Sequence, residues 1–211
     1  MELAKIGLNM LTKTTTELLE ALADSRNDEA WRRFDERYRP IVNSFVRHVG
    51  LNPDDAADVA QEALVRFVRS FRDGKYDRQR GRLSAWLIGI AKHCVDDLHA
   101  NRRKRREARG LSALLSWPDD HRLTHIWDAA CEQAILRNGF NLLREETQFD
   151  PRTIAVLEML ILEGHSPTEV AQSLGLSLND VYVSKHRCLS RLRHLLNGLT
   201  EAYEAPIDNG S

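Results

Sequence analysis

Two helix starts joined by a single glycine turn govern what the stretch from Ser166 to Leu196 can become. Ser166-Pro167-Thr168-Glu169 sets a hydroxyl at an N-cap, a proline in the first helical position and a carboxylate three residues past the cap, in reach of the cap's free amide. The pattern predicts a short helix with Val170, Ala171 and Leu174 inward, stopped by a left-handed Gly175, with Leu176 plugging the turn. Ser177-Leu178-Asn179-Asp180 repeats the cap signal. Val181, Ser184, Cys188, Leu192, Leu195 and Leu199 then recur at steps of three and four, the buried stripe of a long amphipathic helix. Its other face shows Tyr182, Val183, Lys185, His186, Arg187, Ser190, Arg191, Arg193 and His194. This is the layout of a helix-turn-helix, whose second helix enters the DNA major groove with polar residues near its start on base edges and cations beside phosphates. A helical hairpin with a solvated basic face fits the same pattern.

Charge is uneven along the 211 residues. Residues 72–109 hold 12 Lys/Arg against 5 Asp/Glu, whereas residues 110–163 hold 4 against 9. A cationic island in a chain of net charge −1 points to a polyanion at one face rather than to general stickiness. Cys94, Cys131 and Cys188 are odd in number and far apart, a poor disulfide framework, which fits a reducing, cytoplasmic compartment. No leader-like start and no long apolar window is present, so neither export nor a membrane span is expected.

Upstream, Thr14 to Thr16 caps a short helix carrying Leu18, Leu19 and Leu22. Asn27-Asp28-Glu29 opens a longer one, ended by Gly50, with Ala30, Phe34, Tyr38, Ile41, Val42, Phe45, Val46 and Val49 on its apolar face, in which Pro40 is expected to introduce a kink. Asn52-Pro53-Asp54-Asp55 starts a third. Its expected buried side is Ala57, Ala60, Leu64, Phe67, Val68 and Phe71, leaving Asp55, Asp58, Gln61, Glu62, Val65, Arg66 and Arg69 outside. A fourth runs from Leu83 through Trp86, Leu87, Ile90, Ala91, Cys94, Val95 and Leu98 into the basic run Arg102 to Arg106. Cations there, with Tyr76, Trp86 and several His, suit unpaired nucleic acid: flat rings stack on bases while cations track the backbone. A solvated basic tail is the plain alternative.

Residues 110–118 read as linker, residues 119–146 as a helix interrupted at Asn138-Gly139, and Asp150-Pro151 as the start of a helix ending at Gly164, with Ile154, Val156, Leu157, Leu160 and Ile161 inward. No strand-like alternation is found. The expected fold is all-α: two small helical domains at 14–106 and 121–200, a linker at 107–120, the helix-turn-helix in the second domain, and a disordered tail at 201–211. Catalysis has no seat, for the chain lacks a Gly-rich phosphate loop, H-E-x-x-H, G-x-S-x-G and paired Cys motifs. His93, Cys94, His99, His121, His125 and Cys131 match no familiar zinc spacing, so no metal or other cofactor is expected.

Taken in order, these segments resemble bacterial RNA polymerase sigma factors of the extracytoplasmic-function type, in the sigma-70 superfamily, over about Asp28 to Leu196. Asp58-Val59-Ala60-Gln61-Glu62-Ala63-Leu64 is similar to the family's helix that docks on the clamp helices of the largest polymerase subunit. The resemblance implies polymerase contacts at Asp58, Gln61, Glu62, Val65, Arg66 and Arg69. It likewise implies a region 2-like domain meeting minus-ten DNA through Arg80, Arg82, Trp86, Lys92, His93, Asp96, His99, Arg102, Arg103 and Arg105, with His93 where the family commonly has Asn. The region 4-like domain would meet the minus-thirty-five element through Ser177, Asn179, Tyr182, Val183, His186, Arg187, Ser190 and Arg191. Core RNA polymerase, by its clamp helices and flap, promoter DNA and an anti-sigma protein are the partners this implies, for a promoter-specificity subunit with no catalysis of its own. The rivals are a stand-alone helix-turn-helix regulator, dimeric on a palindrome, and, less well supported, a nucleic-acid-processing enzyme.

Overall fold

The computed structural model describes residues 15–77, 81–107, 117–145 and 149–204, with the side chains of 103, 105–107 and 204 outside the description. Most of the linker, Arg80 and residues 205–211 of the expected tail therefore lie outside the described residues, whereas residues 201–204 continue the last helix with Ala202 buried, so the tail does not begin at 201. Every described element is a helix: α1 Thr15–Ala23, α2 Asp28–His48, α3 Pro53–Arg72, α4 Leu83–Glu107, α5 Asp120–Glu145, α6 Pro151–Ile161, α7 Pro167–Leu174 and α8 Leu178–Glu204. Among them none is long and apolar enough to cross a membrane.

Of the described residues, 16–134 form one compact unit and 135–204, with Thr15, another. The division falls inside α5, beyond the expected linker at 107–120. In the first unit α2, α3 and α4 pack side by side around Phe34, Ile41, Phe45, Leu64, Phe67 and Leu87, each essentially free of solvent. Asn27 and Asn52 cap α2 and α3 by accepting from the amides of Ala30 and Asp55. α2 continues unbroken through Pro40, which is exposed. Phe34, Tyr38, Ile41, Val42, Phe45 and Val46 are buried on both sides of it, and at about 1.5–3 kcal/mol each that burial outweighs one lost helix hydrogen bond. The buried side of α3 is rotated from the expected one: Asp55, Ala56, Val59 and Ala63 are inside and Ala57 is outside. Asp55 can go in because an arginine meets it there, as described below.

In the second unit the cap and turn signals appear as expected. Ser166 and Glu169 form a reciprocal capping box, and Gly175 ends α7 at φ 64°, ψ 38°. Val156, Val170, Ala171 and Val181 form a small core shared by α6, α7 and α8, with Leu174 and Leu176 packed against it. A larger core joins Phe140, Leu142 and Leu143 of α5, Ile154 and Leu157 of α6, and Cys188, Leu192, Leu195 and Leu199 of α8. Ile161, expected inward, is 38% exposed because α6 ends there and the chain turns away toward Gly164. α5 runs unbroken through Asn138-Gly139. The glycine serves packing instead: a Cβ on Gly139 would stand 2.7 Å from Leu196 Cδ2 and 3.1 Å from Leu192 Cδ1. The close approach of α8 offsets the roughly 1 kcal/mol that a helical glycine costs.

Candidate polymerase and nucleic-acid surfaces

The outward side of α3 presents Asp58, Gln61, Glu62 and Arg69 to solvent, with Val65 and Arg66 half-buried. These residues share one face because α3 buries the opposite stripe from Ala56 to Val68. The face is also held in place. Arg66 donates from Nε to Glu62 Oε1 and from Nη1 to Asp97 Oδ2, each at 2.7 Å, tying α3 to α4. The paired carboxylates, through those hydrogen bonds, raise the Arg66 pKa further above its ordinary value. Arg39 of α2, paired with Asp35 at 2.7 Å, reaches Gln61 Oε1 at 3.5 Å. Arg39 did not stand out in the sequence, since a single charge one helix away carries no spacing signal; Asp97 did so only through the family resemblance, which has an Asp there, and not as a partner of Arg66.

On α4, His93 and Asp96 are exposed, and Lys92, His99 and Arg102 are half-buried; Arg82 is exposed just before the helix. Arg103 and Arg105 belong to α4, but their side chains lie outside the description. Trp86 is placed differently from a free stacking ring. It stacks on Tyr76 at 4.9 Å between centroids and meets Phe67 edge-on at 5.0 Å. Phe67 in turn stacks on Phe34 at 4.8 Å. One face of Trp86 is therefore occupied by the protein's own aromatic core. Arg102 is likewise engaged, paired with the buried Asp55. Lys92 and Asp96 meet Trp117 and Asp120 from the segment leading into α5, which the sequence offered only as linker and helix start.

The third surface is the start of α8. Ser177, Asn179, Tyr182, Val183, His186, Arg187 and Ser190 are exposed and Arg191 is half-buried. Ser177 and Asp180 cap one another: Ser177 Oγ donates to Asp180 Oδ2 at 2.6 Å and accepts from the Asp180 amide at 3.1 Å. Tyr182 and Val183 are 55% and 46% exposed, a large apolar area at the position where a recognition helix meets base edges.

Nucleophilic chemistry is poorly served. Burial pushes the Cys94 thiol up to about 11 and the Cys131 thiol up to about 12, and raises Cys188 as well, so little thiolate exists near neutral pH. Among the described residues no three His, Cys, Asp or Glu side chains come together as metal ligands.

Two likenesses to known proteins are found. Residues 34–106, essentially α2 to α4, match the family Sigma-70 region 2. Over 185 residues, 87% of this chain and 68% of the relative, the sequence is 26% identical to the ECF RNA polymerase sigma factor SigE of Mycolicibacterium smegmatis.

Proposed function

Because the chain belongs to the extracytoplasmic-function sigma factors of the sigma-70 family, we propose that it directs core RNA polymerase to a specific set of promoters through three separate surfaces. The α3 face, centred on Asp58, Gln61 and Glu62, meets the clamp helices of the largest subunit. The α4 face, centred on Lys92, His93 and Asp96, takes the unpaired minus-ten strand. The start of α8 enters the major groove at the minus-thirty-five element, and the second unit also meets the polymerase flap. The protein acts in the cytoplasm, adds no catalytic group of its own, and is open to silencing by an anti-sigma protein.

The observation that carries this reading is the match to region 2 over 34–106 combined, in the other unit, with two successive helices over 167–204 joined at a left-handed Gly175. Polymerase holds both DNA surfaces to one promoter. The chain alone, near zero net charge, should bind duplex DNA poorly. Gel filtration with and without core polymerase tests the assignment. The wild-type chain should co-elute with core, and a Gln61→Ala/Glu62→Ala variant should do so far less while melting within roughly 0.5 kcal/mol per site of wild type. An unaltered holoenzyme yield with that variant would remove the α3 assignment.

A further inference from the structure

The α4 face assigned above to the minus-ten strand is already occupied from within the chain. The Trp117 indole Nε1–H donates to Asp96 Oδ1 at 2.8 Å. Lys92 Nζ lies 5.6 Å from the centre of the same ring, and an Asp120 carboxylate oxygen stands 3.6 Å from that ammonium. All four residues belong to the first unit. Just beyond them α5 is anchored on that unit by Leu123 and Trp127, 1% and 3% exposed, with Trp127 edge-on to Phe45 at 5.8 Å.

A flat ring with an N–H on its edge, lying under a cation and beside an anion, presents what an unstacked base next to its phosphate would present. We propose that Trp117 and Asp120 are an internal stand-in for single-stranded promoter DNA, closing the Lys92–Asp96 face until the strand displaces them. The proposal rests on the reading of α4 as the minus-ten surface. Competition follows from the contacts themselves. While the Trp117 ring covers Lys92 and its N–H fills Asp96, a base cannot take the same places, and Asp120 partly neutralises the charge a phosphate would seek.

The closure is built to be released. The Asp120 side chain is 96% exposed, so its ion pair is screened and weak, and ring–cation attraction at such a site is modest. A closed form favoured several-fold lowers the apparent affinity for DNA by the fraction of open molecules, without locking the site. Leu123 and Trp127 keep the segment tethered when Trp117 lifts, so the face closes again as soon as DNA leaves.

The test is fluorescence anisotropy of a fluorescein-labelled single-stranded oligodeoxynucleotide of mixed sequence, titrated at low salt with the full-length protein. Trp117→Ala/Asp120→Asn should bind roughly three- to tenfold more tightly than wild type. Asp120→Asn alone, at a side chain outside the core, should move affinity the same way by less, which keeps the test valid if the double variant folds poorly. Asp128→Asn, the same charge change further along the exposed side of α5, should leave affinity unchanged. The proposal is overturned if neither the double variant nor Asp120→Asn binds more tightly, or if Asp128→Asn gains as much. Adding Lys92→Ala to the double variant distinguishes the two levels. Weaker binding there, with no gain from opening, means the face meets DNA but is not covered. No effect of Lys92→Ala means the minus-ten assignment of this face has failed, and the stand-in with it.

Discussion

Arg102→Ala separates a structural role from a DNA contact at a position that the sequence offered as a DNA contact or as part of a solvated basic tail. Arg102 pairs with Asp55, whose side chain is 12% exposed against 40% for the arginine. Asp55 lies in the first turn of α3, where Asn52 Nδ2 donates to it at 2.5 Å and its own amide donates back to Asn52 Oδ1 at 3.0 Å. Removing the guanidinium leaves a buried carboxylate that still has the asparagine and the positive end of the helix dipole. The loss should therefore fall below the roughly 3–5 kcal/mol of a broken, fully buried pair and above the 1 kcal/mol or less of an exposed one. We expect about 1–2 kcal/mol, or a melting temperature lower by roughly 5–10 °C for a unit of this size. Thermal melts by circular dichroism, run as a double-mutant cycle with Asp55→Asn, should give a coupling of about 1 kcal/mol. Wild-type melting with coupling near zero would refute the reasoning and return Arg102 wholly to DNA. A defect in promoter opening by Arg102→Ala counts as a lost contact only where it exceeds the loss of folded protein.

Glu169 accepts the Ser166 amide at 2.7 Å, and that hydrogen bond holds its carboxyl below the ordinary 4.5. A folded value below the unfolded one stabilises above the unfolded value and is lost as pH falls through the folded one, so the second unit should weaken with acid from about pH 4.5 downward, and Glu169→Gln should flatten that part of the profile in pH-dependent melts. Replacing Arg187 or Arg191 should weaken promoter capture by about 1–3 kcal/mol where the side chain pairs with a base, and less, but uniformly across sequences, where it meets phosphate; binding to a panel of upstream-element variants tells the two apart. The thiols of Cys94, Cys131 and Cys188 should resist alkylation at neutral pH in the native protein and react on unfolding, as read by mass spectrometry, because burial keeps them protonated.

Local signals were the legible part of this chain. The Ser166–Glu169 box, the Gly175 stop and the stripe from Val181 to Leu199 each depend on residues within a few positions of one another, and each is found in the structure. What depends on a second helix was not legible. The rotation of α3 that buries Asp55 needs Arg102, and the role of Gly139 needs Leu196. Trp86 reads as a free ring only until Tyr76 and Phe67 are seen against it. Trp117 and Asp120, beside a stretch that reads as linker, acquire meaning only from Lys92 and Asp96 on another element. Pairing across a fold leaves no periodicity, so the candidate surfaces could be outlined from the sequence while the contacts that brace or cover them could not.

The central claim is that this chain supplies promoter choice to a polymerase. The direct measurement transcribes genomic DNA of its own organism in vitro with core polymerase alone, with core plus the wild-type chain, and with core plus the Gln61→Ala/Glu62→Ala variant, and maps the RNA 5′ ends. The account predicts a discrete set of new starts, sharing two spaced upstream elements, that appear only with the wild-type chain and largely vanish with the variant. The contradicting result is no new starts with core, together with tight protection of a palindromic duplex by the chain alone as a dimer.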